Sequence, residues 1–306
     1  MIIADPSARA ALLKALRWYI ALTFVPVMLL AAVAARGLLA LPAAAVLAML
    51  VPALAAFVVQ KLVVKAPLFR GGALGFRVGV KKWWLLAPAA LGLLIALAYA
   101  VTFAIAPETL ASPSEIAATA ARLQFPDSLG TTERIALLAL LAAVVGPLVN
   151  LPIYLGEEIG WRGFMTPRFT ALYGRAGILL AGLIWGLWHT PLILLGHNYP
   201  DNPGVGHLVW IPYCIALSIL LQAAYGVSRS IFVAGLAHGM VNQIAGTGAM
   251  LLIAAPAFID WLHGAVGLIG LAIMAVPAAW IWTQRPDLLL GPAEALGQAE
   301  RGPASG

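Results

Sequence analysis

Charge is scarce in this 306-residue chain: Asp, Glu, Lys and Arg make up 10% of it, against 62% hydrophobic residues. A soluble domain carries about one quarter charged and about half apolar residues. Together with a mean hydropathy of +0.96, this excludes a soluble α/β enzyme and a nucleic-acid binder. The short alternating segments of an outer-membrane barrel are also missing, because the apolar runs are continuous. Cysteine is nearly absent. Cys214 stands alone, so an intramolecular disulfide and a cysteine-built zinc or iron–sulfur site are excluded. There is no His-Glu-x-x-His, no heptad pattern and no internal repeat, and Gly71-Gly72 lacks the lysine spacing of a phosphate-binding loop.

What the chain has instead is a series of charge-free windows: Trp18–Ala35, Gly37–Gln60, Trp83–Pro107, Ile135–Gly156, Ala176–Gly196, Leu208–Ser228, Ser230–Ile259 and Trp261–Gln284. Each is near or above the roughly 18 to 20 residues that a membrane-spanning helix requires. The fold class is therefore all-α, a polytopic transmembrane bundle of about eight helices, with residues 1–285 as one domain and 286–306 as a flexible tail rich in Ala, Gly and Pro. The first window ends in Ala32-Val33-Ala34, a superficial match to a signal cleavage site. It is longer than the roughly 7 to 15 apolar residues of a signal peptide and reads as a retained span.

The basic residues orient the bundle. Lys61, Lys65, Arg70, Arg77, Lys81 and Lys82 lie between spans two and three with no acid among them, and such segments stay in the cytoplasm. Arg9, Lys14 and Arg17 before span one, Arg162, Arg168 and Arg175 after span four, Arg229 after span six and Arg285 after span eight fall on the same side. Glu108, Glu115, Asp127 and Glu133 against Arg122 and Arg134, and Asp201 with no base, mark the outer loops. Both termini then face the cytoplasm. Within the first outer loop, Ser112-Pro113-Ser114-Glu115 reads as the start of a short surface helix over 111–121.

Ionisable residues inside apolar spans are costly and point to function. Glu157-Glu158-x-x-x-Arg162 lies at the cytoplasmic end of span four, which predicts cytoplasmic access to whatever site it builds. On a helix, Glu158 and Arg162 are i and i+4 with the acid first, the favourable order for an ion pair, while Glu157 is turned about 100° away and stays free. The bland alternative is an interfacial charge cluster anchoring a helix end. Span five places Trp185 one turn before His189, with Pro191 leaving the Leu187 carbonyl without its helical donor. Trp185 either lines a pocket or joins an aromatic seam. Span seven sets His238 and Asn242 on one face beside Gly235 and Gly239, which permit close helix approach; interhelical hydrogen bonding is the competing explanation. Measured along the spans, His189 lies about 20 Å and His238 about 12 Å from the cytoplasmic end, a mismatch that helix tilt or a later start of span five must absorb. His197, His207 and His263 fall in loops and take no role.

A carboxylate, two imidazoles and an amide form the inventory for activating water and stabilising an oxyanion. In this ordered set, Glu157-Glu158-x-x-x-Arg162, Trp185-x-x-x-His189 and His238-x-x-x-Asn242, the chain resembles the CPBP family, the CAAX proteases and bacteriocin-processing enzymes of the type II CAAX prenyl endopeptidase class, over about residues 134–250. Gly160–Gly163 and Trp188–Pro191 look like its bacterial branch, and Trp185 stands where eukaryotic members usually have Phe.

The resemblance implies hydrolysis of a peptide bond in a membrane-associated, in some cases lipidated, protein or peptide. Glu157 and His189 activate water, His238 and Asn242 hold the oxyanion, and Glu158, Arg162 and Trp185 support them. It implies a protein of the bacterial cell membrane whose partners are its substrate and the lipid bilayer. No cofactor is expected. The alternative is zinc on Glu157, His189 and His238, and Asn242 argues against it because an amide is a poor zinc ligand and a good oxyanion partner. The competing functions are a non-catalytic bacteriocin self-immunity factor or membrane scaffold, and a transporter.

Overall fold

The computed structural model describes residues 3, 5–123, 125–126, 128–254 and 257–290. Asp127 of the acidic loop and the tail from 291 onward lie outside them. Helix α1 (Pro6–Ala35) starts at Asp5, whose carboxylate accepts the Ala8 N–H at 2.8 Å, with Pro6 in the first turn. Helices α2 (Leu41–Leu62) and α3 (Trp83–Ile105) flank the basic segment. The expected surface helix is α4 (Pro113–Arg122). Its capping box pairs the Ser112 hydroxyl with the Glu115 N–H at 3.3 Å and the Glu115 carboxylate with the Ser112 N–H at 2.8 Å.

Helix α5 (Thr131–Leu140), a π-helical turn (Leu141–Val145) and α6 (Gly146–Val149) form the next stretch. Helix α7 (Leu151–Glu158), a second π-helical segment (Ile159–Met165) and α8 (Thr166–Tyr173) follow, and α9 (Ala176–Ile193), α10 (Pro203–Ser228), α11 (Ile231–Leu252) and α12 (Leu268–Gln284) complete the bundle.

Among the described residues, six helical stretches are long and apolar enough to cross a membrane: α1, α2, α3, Thr131–Val149, α9 and α10. Helix α11 has comparable length, with His238, Asn242 and Gln243 diluting its hydropathy, and α12 is apolar but only 17 residues long. Leu85, Leu93 and Val276 are 70% or more exposed, a surface suited to lipid and not to water. The protein is an integral membrane helical bundle.

Two expected boundaries differ. Span four does not end at Gly156, because Pro147, Asn150 and Pro152 break the helix after Val149 and a second helical run continues to Tyr173. Arg162 and Arg168 are consequently not loop charges. Both are fully buried, and Arg168 donates to the Phe164 carbonyl at 2.8 Å and to Gln60 Oε1 at 3.0 Å. Span eight begins at Leu268 and not at Trp261, because residues 261–267 fold into turns with Gly264 at φ +73°. The Gly264 N–H donates to Thr102 Oγ1 there.

The connecting segments gather at two ends. At one, Val80 and Arg77 bond to Ser228 and Ser230, Arg175 donates to the Trp282 carbonyl, Gln222 donates to the Leu289 carbonyl, and Arg9 reaches the Leu172 carbonyl. This basic end collects the segments that the charge pattern assigns to one side. At the other, Leu110 bridges Ile253, the Asp260 carboxylate accepts the N–H groups of Asp201 and Asn202, and the Tyr199 hydroxyl donates to the Val266 carbonyl. Close contact fixes the depth of α7 in the bundle. A Cβ on Gly156 would stand 2.4 Å from the Met49 carbonyl oxygen, and one on Gly160 2.4 Å from Pro52 Cβ, so both positions admit only glycine without displacing α2.

Candidate active site

The structure brings Glu157, Trp185, His189, His238 and Asn242 to the wall of one cavity of about 640 Å³, within the size range of small-ligand and peptide pockets. Glu158 and Arg162 lie immediately behind it, both fully buried. The expected i, i+4 ion pair is present, with Arg162 Nη1 3.0 Å from Glu158 Oε1. The same Glu158 oxygen also accepts from His238 Nδ1 at 2.8 Å. Glu158 therefore orients His238 directly. With the Glu158 oxygen as acceptor from both Arg162 and the imidazole, His238 contributes its Nδ1–H to this bond and Nε2 is the nitrogen left for other chemistry.

Glu157 is not free. Its Oε2 accepts the indole N–H of Trp161 at 3.1 Å and that of Trp185 at 2.6 Å. Trp161 follows one turn later, and Trp185 reaches across from α9. Two neutral donors hold the carboxylate in place without adding a positive charge beside it. Trp185 is both pocket wall and packing seam. It donates to Glu157, lies under the Arg162 guanidinium at 4.5 Å, and meets His238 edge-on at 5.5 Å.

His189 Nδ1 lies 2.9 Å from the Trp185 carbonyl. A carbonyl only accepts, so Nδ1 carries the proton and Nε2 is the basic nitrogen. Trp188 and Trp210 pack edge-on against its ring at 4.8 and 5.1 Å. The depth mismatch between the two histidines is bridged by Trp185, whose ring centre is 5.8 Å from that of His189 and 5.5 Å from that of His238.

Helix α11 approaches α7 closely because Gly239 accepts the Tyr154 ring and Gly235 the side chains of Leu151 and Leu155. Tyr154 lies 5.8 Å from the His238 ring and is itself held by Gln243 at 2.7 Å. Asn242 lines the cavity one turn beyond His238 and is exposed to it, with no hydrogen bond to its amide among the described residues. Sequence reasoning left Trp161 and Tyr154 out of the site. The spacing of Trp161 at i+4 from Glu157, parallel to the Glu158–Arg162 pair, was the signal for the first. The second follows only from the helix packing.

Glu157 does not sit at the end of a membrane helix. Gly156 packs against Met49, eight residues into α2 and so about 12 Å along its axis, and the helical run continues past it to Tyr173. The cluster lies inside the bundle. As to metal, no three His, Cys, Asp or Glu side chains among the described residues are grouped to hold an ion, and one Glu157 oxygen is occupied by two indole donors.

Comparison with known proteins finds a likeness over the region that holds this cluster. Residues 132–244, which contain all three motifs, match the model described as type II CAAX prenyl endopeptidase Rce1-like. A curated relative, CAAX prenyl protease 2 of Methanococcus maripaludis (strain S2), is 29% identical over 119 residues, covering 32% of this chain and 43% of the relative. The chain thus spans less than half the length of that relative. Over residues 132–244 the chain is therefore similar to the Rce1-like, type II CAAX prenyl endopeptidase family.

Proposed function

We propose that this protein is an intramembrane endopeptidase that uses a glutamate-activated water. The observation that carries the reading is the convergence of Glu157, His189, His238 and Asn242 on one buried cavity. Glu157 takes a proton from water as the water oxygen bonds to the scissile carbonyl carbon, assisted by His189 Nε2. The carbonyl oxygen becomes an oxyanion held by His238 Nε2 and the Asn242 amide. Collapse of the tetrahedral adduct breaks the C–N bond, and the proton passes to the departing amine. Glu158, fixed by Arg162, keeps His238 in register.

The substrate is a membrane-associated protein or peptide, a class that includes lipidated chains like those in the relative's name. The enzyme resides in a bacterial cell membrane with both termini cytoplasmic, on the strength of the acid-free basic segment Lys61–Lys82. The mechanism is metal-free. Cleavage is expected to persist after prolonged incubation of the purified protein with a strong chelator, with zinc far below stoichiometric by elemental analysis. Activity lost to the chelator and restored by stoichiometric zinc would reassign Glu157, His189 and His238 as ligands.

A further inference from the structure

The basic segment between α2 and α3 is folded against the bundle. The Gln60 carbonyl accepts the Ala66 N–H at 3.0 Å, and the Gln60 amide donates to the Pro67 carbonyl at 3.3 Å. Val80 donates to the Ser228 carbonyl at 2.8 Å, which sets Lys81 and Lys82 next to the turn that carries Arg229. A line of rings joins the two halves of the segment. Phe69 lies 6.0 Å from Phe57 and 5.0 Å from Phe76, Phe76 lies 6.1 Å from Phe232, and Phe232 lies 6.1 Å from Trp84. Phe69 is nevertheless 63% exposed, and Leu62, Val78 and Leu85 stand out with it. Charge of one sign surrounds these rings: Lys61 and Lys65 on one flank and Lys81, Lys82 and Arg229 on the other are exposed, with no acid between residues 61 and 82. Of the acids on the segments gathered at this end, Asp5 caps α1 and Asp287 is held by Arg285 at 3.0 and 2.9 Å.

Depth identifies the occupant. Helices α2 and α3 have 22 and 23 residues, about 33 to 35 Å of helix against a hydrocarbon core of about 30 Å. Lys61 in the last turn of α2 and Lys82 at the start of α3 consequently stand at the level of lipid headgroups, with Leu62 and Leu85 beside acyl chains. A phospholipid satisfies both, because its phosphate meets the ammonium groups and its chains cover the apolar side chains next to them. An acidic protein approaching from water meets only the charges. We propose that residues 61–84 together with Arg229 form a docking surface for anionic phospholipid in the leaflet at the basic end of the bundle. The segment also backs the candidate site: a Cβ on Gly163 would stand 2.5 Å from the Leu74 carbonyl oxygen, so lipid held on the segment steadies the stretch from Glu157 to Arg162. The proposal does not rest on the peptidase reading.

The full chain in detergent is titrated with phosphatidylglycerol and, separately, with phosphatidylcholine of the same acyl chains, while the melting temperature is followed. Phosphatidylglycerol is expected to raise it and phosphatidylcholine to leave it unchanged, and added salt is expected to weaken the effect. Each basic residue near an anionic surface contributes about fivefold in affinity. Lys61→Gln, Lys65→Gln, Lys81→Gln and Lys82→Gln combined are therefore expected to shift the phosphatidylglycerol midpoint by about 100-fold or more, and arginine at the same four positions to leave it in place. Should the combined glutamine variant fail to fold, the pairs Lys61→Gln with Lys65→Gln and Lys81→Gln with Lys82→Gln each shift the midpoint by roughly tenfold or more. Equal stabilisation by both lipids, an unmoved midpoint in the glutamine variants, or the same stabilisation by inorganic phosphate alone would overturn the proposal.

Discussion

Glu157→Gln is expected to abolish peptide cleavage while leaving the yield of folded protein close to that of the native chain. Glutamine has the same shape, and its carbonyl oxygen can still accept from Trp161 and Trp185, the two indoles that now hold Oε2. What it lacks is the ability to take a proton from water. Loss of a positioned general base costs about 10² to 10⁴ in rate, which in a slow intramembrane reaction falls below detection. The comparison is made on purified protein, with monodispersity and thermal stability measured beside the cleavage rate. A Glu157→Gln enzyme retaining most of the native rate would remove the carboxylate from the chemistry.

Arg162→Ala has the opposite signature, a large loss of folded yield. The guanidinium is fully buried, donates to Glu158 at 3.0 Å and stacks on Trp185 at 4.5 Å. Removing it leaves Glu158, equally buried, with His238 as its remaining partner, and breaking one side of a buried ion pair typically costs about 3 to 5 kcal/mol. That is a large part of the roughly 5 to 15 kcal/mol by which a protein is stable. The expected results are a markedly lowered melting temperature and reduced expression, with activity lost as a consequence. Equal yields for Glu157→Gln and Arg162→Ala would mean that the Glu158–Arg162 pair does not support the fold and that the two glutamates do not divide their labour.

These two outcomes separate what was legible in the sequence from what was not. The eight charge-free windows each hold a helix, because in a bilayer backbone groups must be satisfied within the segment and apolar length alone selects the helix. The Glu158–Arg162 pair was legible because i, i+4 spacing is local. The partner of Glu158 on α11 was not, since no rule of spacing relates residue 158 to residue 238, and it emerges only where Gly239 lets α11 settle on Tyr154.

The depth of Glu157 was misjudged for a related reason. Charge normally marks a membrane helix end, and two buried arginines, Arg162 and Arg168, mimicked that mark while being satisfied inside the bundle. The turns at 261–267 were hidden because their residues are as apolar as a span, and their hydrogen bonds come from tertiary partners such as Thr102 and Tyr199.

The most direct test is cleavage itself. Purified protein in liposomes is mixed with a peptide whose apolar segment is anchored in the same bilayer, and the products are identified by mass spectrometry. The account predicts a new pair of chain ends within or beside the apolar segment, formed by the native protein and absent with Glu157→Gln. An uncut peptide in the presence of folded native protein, or equal cutting by the Glu157→Gln variant, would contradict it.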